Sequence, residues 1–215
     1  MPYWISKTLL LVAALACVFV MAGCGSGDQG GSGGADKATN DATTAKSIAP
    51  SKTPEAPKGT PTVPALSEVE KADGAASGWN KDAALYAIAS ITPQVDAKGR
   101  APGWLYSYVS PSAGAVVSVS IQGKTVELEP QQKLPSDQIK DISNHALPSA
   151  GKLLDSSEAI KKAGKVTKAL ESKPGTDASA GLDSFSSESP VWIFALAQSG
   201  QRVEEKITAT RSGGS

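Results

Sequence analysis

Gly103-Trp104-Leu105-Tyr106-Ser107-Tyr108 and Val191-Trp192-Ile193-Phe194-Ala195-Leu196 are the two stretches on which the fold turns. Each alternates with a period of two, the mark of a strand whose two faces differ. Each leads through a serine- and glycine-containing turn into another alternating run. After the first, Val117, Val119 and Ile121 alternate with Ser118 and Ser120, and Gln122-Gly123-Lys124 turns the chain into Thr125 to Leu128. After the second, Ser199-Gly200 turns the chain into Val203, Ile207 and Ala209, interleaved with Glu204, Lys206 and Thr208.

A helix is expected ahead of each aromatic strand. Asn80 is placed to cap one running through Ala83, Ala84, Leu85, Ala87 and Ile88, closed off by Pro93. Asp155, with Glu158 three residues on, reads as a variant capping box, and Leu154 and Ala159 are spaced as its hydrophobic staple. That helix is predicted through Ile160, Ala163 and Val166, ending by Pro174. A short third helix is predicted from Asp137 to Asn144, capped by Ser136. One helix with one small meander is too little to bury both well. The expected fold is therefore α+β: two helix-plus-antiparallel-meander repeats, about 66–130 and about 150–212, forming one domain over 66–215.

The order of helix and then strands, with Trp104 and Trp192 opening the long strands, resembles PepSY-like domains of the cystatin-like type. The resemblance covers about Trp79 to Leu128 and about Asp155 to Arg211. It departs from the usual pattern at the end, where Thr210-Arg211-Ser212-Gly213 stands in place of an acidic residue before a Thr-Gly turn. The resemblance implies an exported, non-catalytic module that inhibits, senses or binds.

The chain ahead of this domain has a different character. Lys7, the apolar run Leu9 to Val20 and Met21-Ala22-Gly23 have the three parts of an export signal over residues 1–23. The apolar run is well short of the roughly 18–20 residues of a permanent span. Cys24 follows at once, and the arrangement resembles the lipobox of bacterial lipoproteins, with Met21 where Leu or Val is preferred. The resemblance implies that Cys24 becomes the first mature residue and carries a diacylglyceryl group, whose two acyl chains anchor stably where one does not. Palmitate-type acyl chains at the outer face of the membrane follow from it. Cys17 lies inside the signal, so the mature chain is expected to hold neither a free thiol nor a disulfide.

Residues 24–65 read as a disordered tether. Gly25 to Gly34 is almost all Gly, Ser, Asp and Gln, and Pro50, Pro54, Pro57, Pro61 and Pro64 then recur every three or four positions. No aromatic residue lies between Phe19 and Trp79, so the stretch buries too little apolar surface to offset its ordering entropy. A flexible chain of this length spans about 35 Å.

Little in the sequence points to chemistry. The charge balance of 21 basic against 21 acidic side chains gives no electrostatic case for nucleic acid. The single histidine, His145, has no Gly-x-Ser-x-Gly elbow to serve and is expected in a surface loop. One histidine without a free cysteine is a poor donor set for zinc. Asp96-Ala97-Lys98-Gly99 reads as an exposed turn, and Lys161, Lys162, Lys165 and Lys168 as a solvated helix face, with anionic headgroups or acidic wall polymer as its alternative use. Tyr106 and Tyr108 are the candidate binding face should one side of the sheet be open. No catalytic, cofactor or metal residue is assigned. The functional expectation is a membrane-anchored envelope lipoprotein, not an enzyme, that binds a protein, peptide or cell-wall component. The alternative is a small-ligand or substrate-capture lipoprotein serving a transporter.

Overall fold

The computed structural model describes residues 61–198 and 201–211. The segments expected to be an export signal and a tether up to residue 60, with Cys24, lie outside the described residues, as does the expected turn at Ser199-Gly200. The described chain is α+β, a helix followed by an antiparallel meander, then more helix and more meander in one sheet.

A 3-10 turn over Ala65–Glu68 leads into α1, Val69–Trp79. The strands β1 (Ala84–Ser90), β2 (Gly103–Ser110), β3 (Ala115–Gln122) and β4 (Thr125–Leu128) follow as a meander. A two-residue strand β5, Gln132–Lys133, pairs with the start of β3. Helix α2, Ser136–Asn144, comes next. Helices α3 (Ser156–Ala159) and α4 (Gly164–Ser172) flank a 3-10 turn over Ile160–Lys162, and β6 (Ala178–Asp183), β7 (Val191–Gln198) and β8 (Gln201–Thr208) close the chain. The sheet order is β4-β3-β2-β1-β6-β7-β8, with β5 beside β3.

On β3 the alternation read in the sequence is also an alternation of burial, whereas β2 is buried at every residue but Leu105. Every second residue of β3 is buried from Ala115 to Ile121. Trp104, Tyr106 and Tyr108 on β2 and Trp192, Phe194 and Leu196 on β7 face the helices and form the core with Ile88, Ala180 and Leu182. The tryptophans meet edge to face with centroids 6.1 Å apart, and Trp192 stacks on Phe194 at 5.9 Å.

Their registers match. Ala89 pairs with Leu105, the residue after Trp104, and Gly181 pairs with Ile193, the residue after Trp192. Ala89 and Gly181 also pair with each other, where β1 meets β6. The pairing is therefore twofold about that central pair. Each indole N–H donates to a backbone carbonyl just ahead of its helical segment: Trp104 to Val63 at 2.9 Å and Trp192 to Leu154 at 2.8 Å.

The helix expected at Asn80 is not there. Asn80 instead follows the last residue of α1, its N–H bonded to the Ala76 carbonyl. Ala84, Leu85, Ala87 and Ile88 lie in β1. The true first helix turns its small side chains Ala72 and Ala76, with Val69, onto the sheet. Gly74 and Gly78 have nothing within 4 Å of where a Cβ would stand. Replacing both by alanine is expected to raise stability by about 1–2 kcal/mol, since each helix-interior glycine costs about 1 kcal/mol against alanine. Urea denaturation measures it, and an unchanged midpoint would refute the open, helical setting of these residues.

The second helical segment starts as read. Asp155 and Glu158 form the capping box. Its course differs, because Ala163 leaves helical geometry at ψ 70° and splits the run before Gly164. Ser136 is the first residue of α2 and not its cap; Pro135 holds that place, without a side-chain bond. The fold also begins ahead of residue 66, where the domain is expected to start. Val63 exchanges both backbone hydrogen bonds with Ala101, and Ala65 is buried. Asp155 accepts from Leu66 N–H at 3.1 Å and Ser156 Oγ from Ala65 N–H at 2.9 Å, so the capping box also seats the incoming chain.

Candidate functional site

Tyr106 and Tyr108 do not form an exposed face. Both point under α1 and are buried. Tyr106 donates its hydroxyl to the Ala65 carbonyl at 2.6 Å and Tyr108 to Asp73 Oδ1 at 2.7 Å. Burial first of all pushes both phenols above their ordinary pKa; nearby carboxylates add to it at Tyr106, and the hydrogen bond to Asp73 at Tyr108. They are neutral donors that lock α1 to the sheet. A period of two puts them on one face, but does not say that the face is the covered one.

His145 is half-buried, not a free loop residue. Its Nδ1 donates to the Ser184 carbonyl at 3.0 Å, and its ring lies 4.7 Å from that of Phe185. Phe185 in turn meets Tyr86, which a register shift between Leu85 and Ala87 displaces from regular pairing. Ser184 donates back to the His145 carbonyl. This reciprocal pair clamps the segment after α2 to the loop after β6, and among the described residues the ring's hydrogen-bond partner is the Ser184 carbonyl. Among the described residues no group of three or more His, Cys, Asp or Glu side chains is arranged to hold a metal ion.

The Asp96–Gly99 loop is also more than an exposed turn. Asp96 accepts from the N–H groups of Lys98 and Arg100 and from the Arg100 guanidinium. The loop presents Gly99, at φ 71°, buried against the start of α3. Asp82, at the entry to β1, accepts from the Ser110 hydroxyl and from Ser112 N–H, and the Ser110 bond first of all holds its carboxyl below the ordinary range. Lys161, Lys162, Lys165 and Lys168 are all exposed.

Two surface features remain. The first is an open cleft of about 340 Å³ between the β2–β3 turn and α2, lined by Pro111, Gly114, Leu134 and Ile139 with Lys140 and Ser143. Ser143 spends its hydroxyl on the Ile139 carbonyl, so the walls offer mainly apolar contact and one ammonium group. Between the two halves Trp104 packs against Trp192.

The second is the edge strand β4. Its four residues are exposed, and among the described residues it pairs only with β3. Val126 and Leu128 stand opposite Ile121 and Val119, which places them on the helix side of the sheet, where α1 also packs against β4. They are the large hydrophobic residues left exposed among the described residues, at 42% and 46%. Glu127, opposite Ser120, points the other way. Trp79 flanks the strand from α1, its indole N–H bonded to Gln131 at 3.1 Å. An apolar pair, an acidic residue between them and a free backbone edge therefore lie on one strand. The pattern Thr-Val-Glu-Leu was legible, but the sequence could not say that this strand would be the last on its side.

No family model, curated protein or solved structure matches this chain.

Proposed function

We propose that this chain is a lipid-anchored module of the cell envelope, attached through Cys24, that binds an extended segment of another protein along β4. The observation that carries the binding role is the exposed Val126–Leu128 pair on an open sheet edge. Exposed apolar side chains beside unpaired backbone groups suit β-strand addition, in which main-chain bonds give affinity and alternate side chains give specificity. A strand laid there sets apolar residues against Val126 and Leu128 and basic residues against Glu127. The matching registers about Trp104 and Trp192 support reading the two halves as copies of one PepSY-like unit. The lipobox-like Met21-Ala22-Gly23-Cys24 supports the anchor.

Two measurements on the full-length protein test this reading. Cys24→Ser is expected to move the protein from the membrane to the soluble fraction and to end labelling by a fatty-acid probe; retention with labelling refutes the anchor. A seven-residue peptide alternating valine and lysine is expected to bind, and Leu128→Asp to weaken it about tenfold. Equal binding of a valine–glutamate peptide, or an unaffected Leu128→Asp variant, rules out β4 as the site.

A further inference from the structure

We infer that the opposite edge of the sheet, β8, is an interface between two copies of this chain, paired antiparallel about a twofold at Glu205. The case begins with what β8 presents. Arg202, Glu204 and Lys206 point to the face away from the core, because their β7 neighbours are Ala197, Ala195 and Ile193, while Val203 and Ile207 stand beside Leu196 and Trp192. Those β7 neighbours carry no charge, so β7 offers the β8 charges no cross-strand ion pair, and the open side is where one can form. Glu204 is met within its own strand by Arg202 at 3.0 Å, and Lys206 makes no ion pair among the described residues.

The strand is complementary to itself. In an antiparallel pair, directly opposed residues share a face. Centred on Glu205, Val203 of one copy opposes Ile207 of the other on the inner face. Glu204 opposes Lys206 on the outer face, and symmetry makes each contact twice. The centre sets Glu205 against its own copy. That carboxylate is already engaged, accepting the Val166 N–H at the start of α4 at 2.8 Å.

β4 lacks this property. Pairing it with itself so that Val126 opposes Leu128 also sets Glu127 against Glu127, but brings no opposite-charge pair beside it as Glu204 and Lys206 do in β8. The first half of the molecule also shows what β8 is missing. By register from the tryptophans, β3 is the counterpart of β8: Ile121 opposes Trp104 as Ile207 opposes Trp192. The outer edge of β3 is covered by β4, whereas among the described residues that of β8 ends the sheet. A second copy of β8 takes the place that β4 takes on the other side. A pairing over Arg202–Thr208 is small beside the roughly 1,200–2,000 Å² of a stable interface, so a weak, concentration-dependent dimer is expected.

Sedimentation of the full-length protein in mild detergent, from micromolar to about 100-fold higher concentration, tests this. The wild type is expected to pass from monomer to dimer. Lys206→Glu and Glu204→Lys each turn both cross-strand pairs into like-charge pairs, and each is expected to weaken the dimer at least about tenfold. The double variant E204K/K206E restores opposite charges and is expected to dimerise as the wild type does. A wild type that stays monomeric overturns the inference. So does a dimer that survives the single swaps, or single-swap losses that the double variant fails to rescue.

Discussion

Gly99→Ala is expected to cost about 3–5 kcal/mol, enough to leave a domain of ordinary stability largely unfolded under mild denaturant. Two effects combine. Gly99 sits at φ 71°, a backbone region that side chains disfavour. A Cβ there would also lie 2.3 Å from the Ser156 carbonyl oxygen and 2.7 Å from its carbon. Those are backbone atoms at the first turn of α3, and they have little freedom to yield. Ser156 is buried, with its N–H on Asp155 and its hydroxyl receiving the Ala65 N–H. Moving it loosens the capping box and the seat of the incoming chain together. Gly123→Ala is the control. Gly123 has φ 60° but nothing within 4 Å of its Cβ position, so only the backbone cost of about 1–2 kcal/mol applies. Urea denaturation of both variants decides it, and equal losses at the two positions would show that the clash with Ser156 is relieved at little cost.

Trp192→Ala is the second large loss, about 3–5 kcal/mol. The ring is fully buried between Trp104 and Phe194 at the centre of the sheet, and its removal leaves a cavity bounded by rigid strands. The Leu154 carbonyl also loses the indole N–H that it accepts at 2.8 Å. Trp192→Phe separates these contributions. It keeps most of the apolar contact and gives up the hydrogen bond, so a loss of about 1–3 kcal/mol is expected. Trp104→Ala is expected to orphan less, because the Val63 carbonyl also accepts the Ala101 N–H. Equilibrium unfolding followed by far-UV circular dichroism reads all three, and a Trp192→Ala variant within 1 kcal/mol of wild type would contradict the central role assigned to this ring.

The candidate surface was legible only in part. Thr125 to Leu128 reads as a strand after Gly123, and Glu204 and Lys206 alternate in the sequence with Val203 and Ile207. Their use as edges was not, because an edge is defined by which strands fail to join it. Tyr106 and Tyr108 show the same limit from the other side. A period of two says that they share a face, and only the docking of α1 decides that the face is closed.

The sequence by itself determined the two hairpins, β2 with β3 and β7 with β8, and the capping box at Asp155 and Glu158. These are short-range devices: alternation, a turn glycine and an i,i+3 pair act within a few residues. The tertiary structure decided the rest. Residues 84–90 are rich in alanine, which favours helix in isolation, yet they form β1 because β2 and β6 supply hydrogen bonds on both sides. Residues 69–79 hold two glycines and a face of small side chains, a weak local signal, and they become α1 because that face fits closely over the aromatic sheet. The joint between the halves pairs strands whose contacts, such as Ala180 N–H to Ser90 Oγ, span 90 positions. No local pattern carries that information, because the energy that selects it exists only once both halves have formed the surfaces that meet.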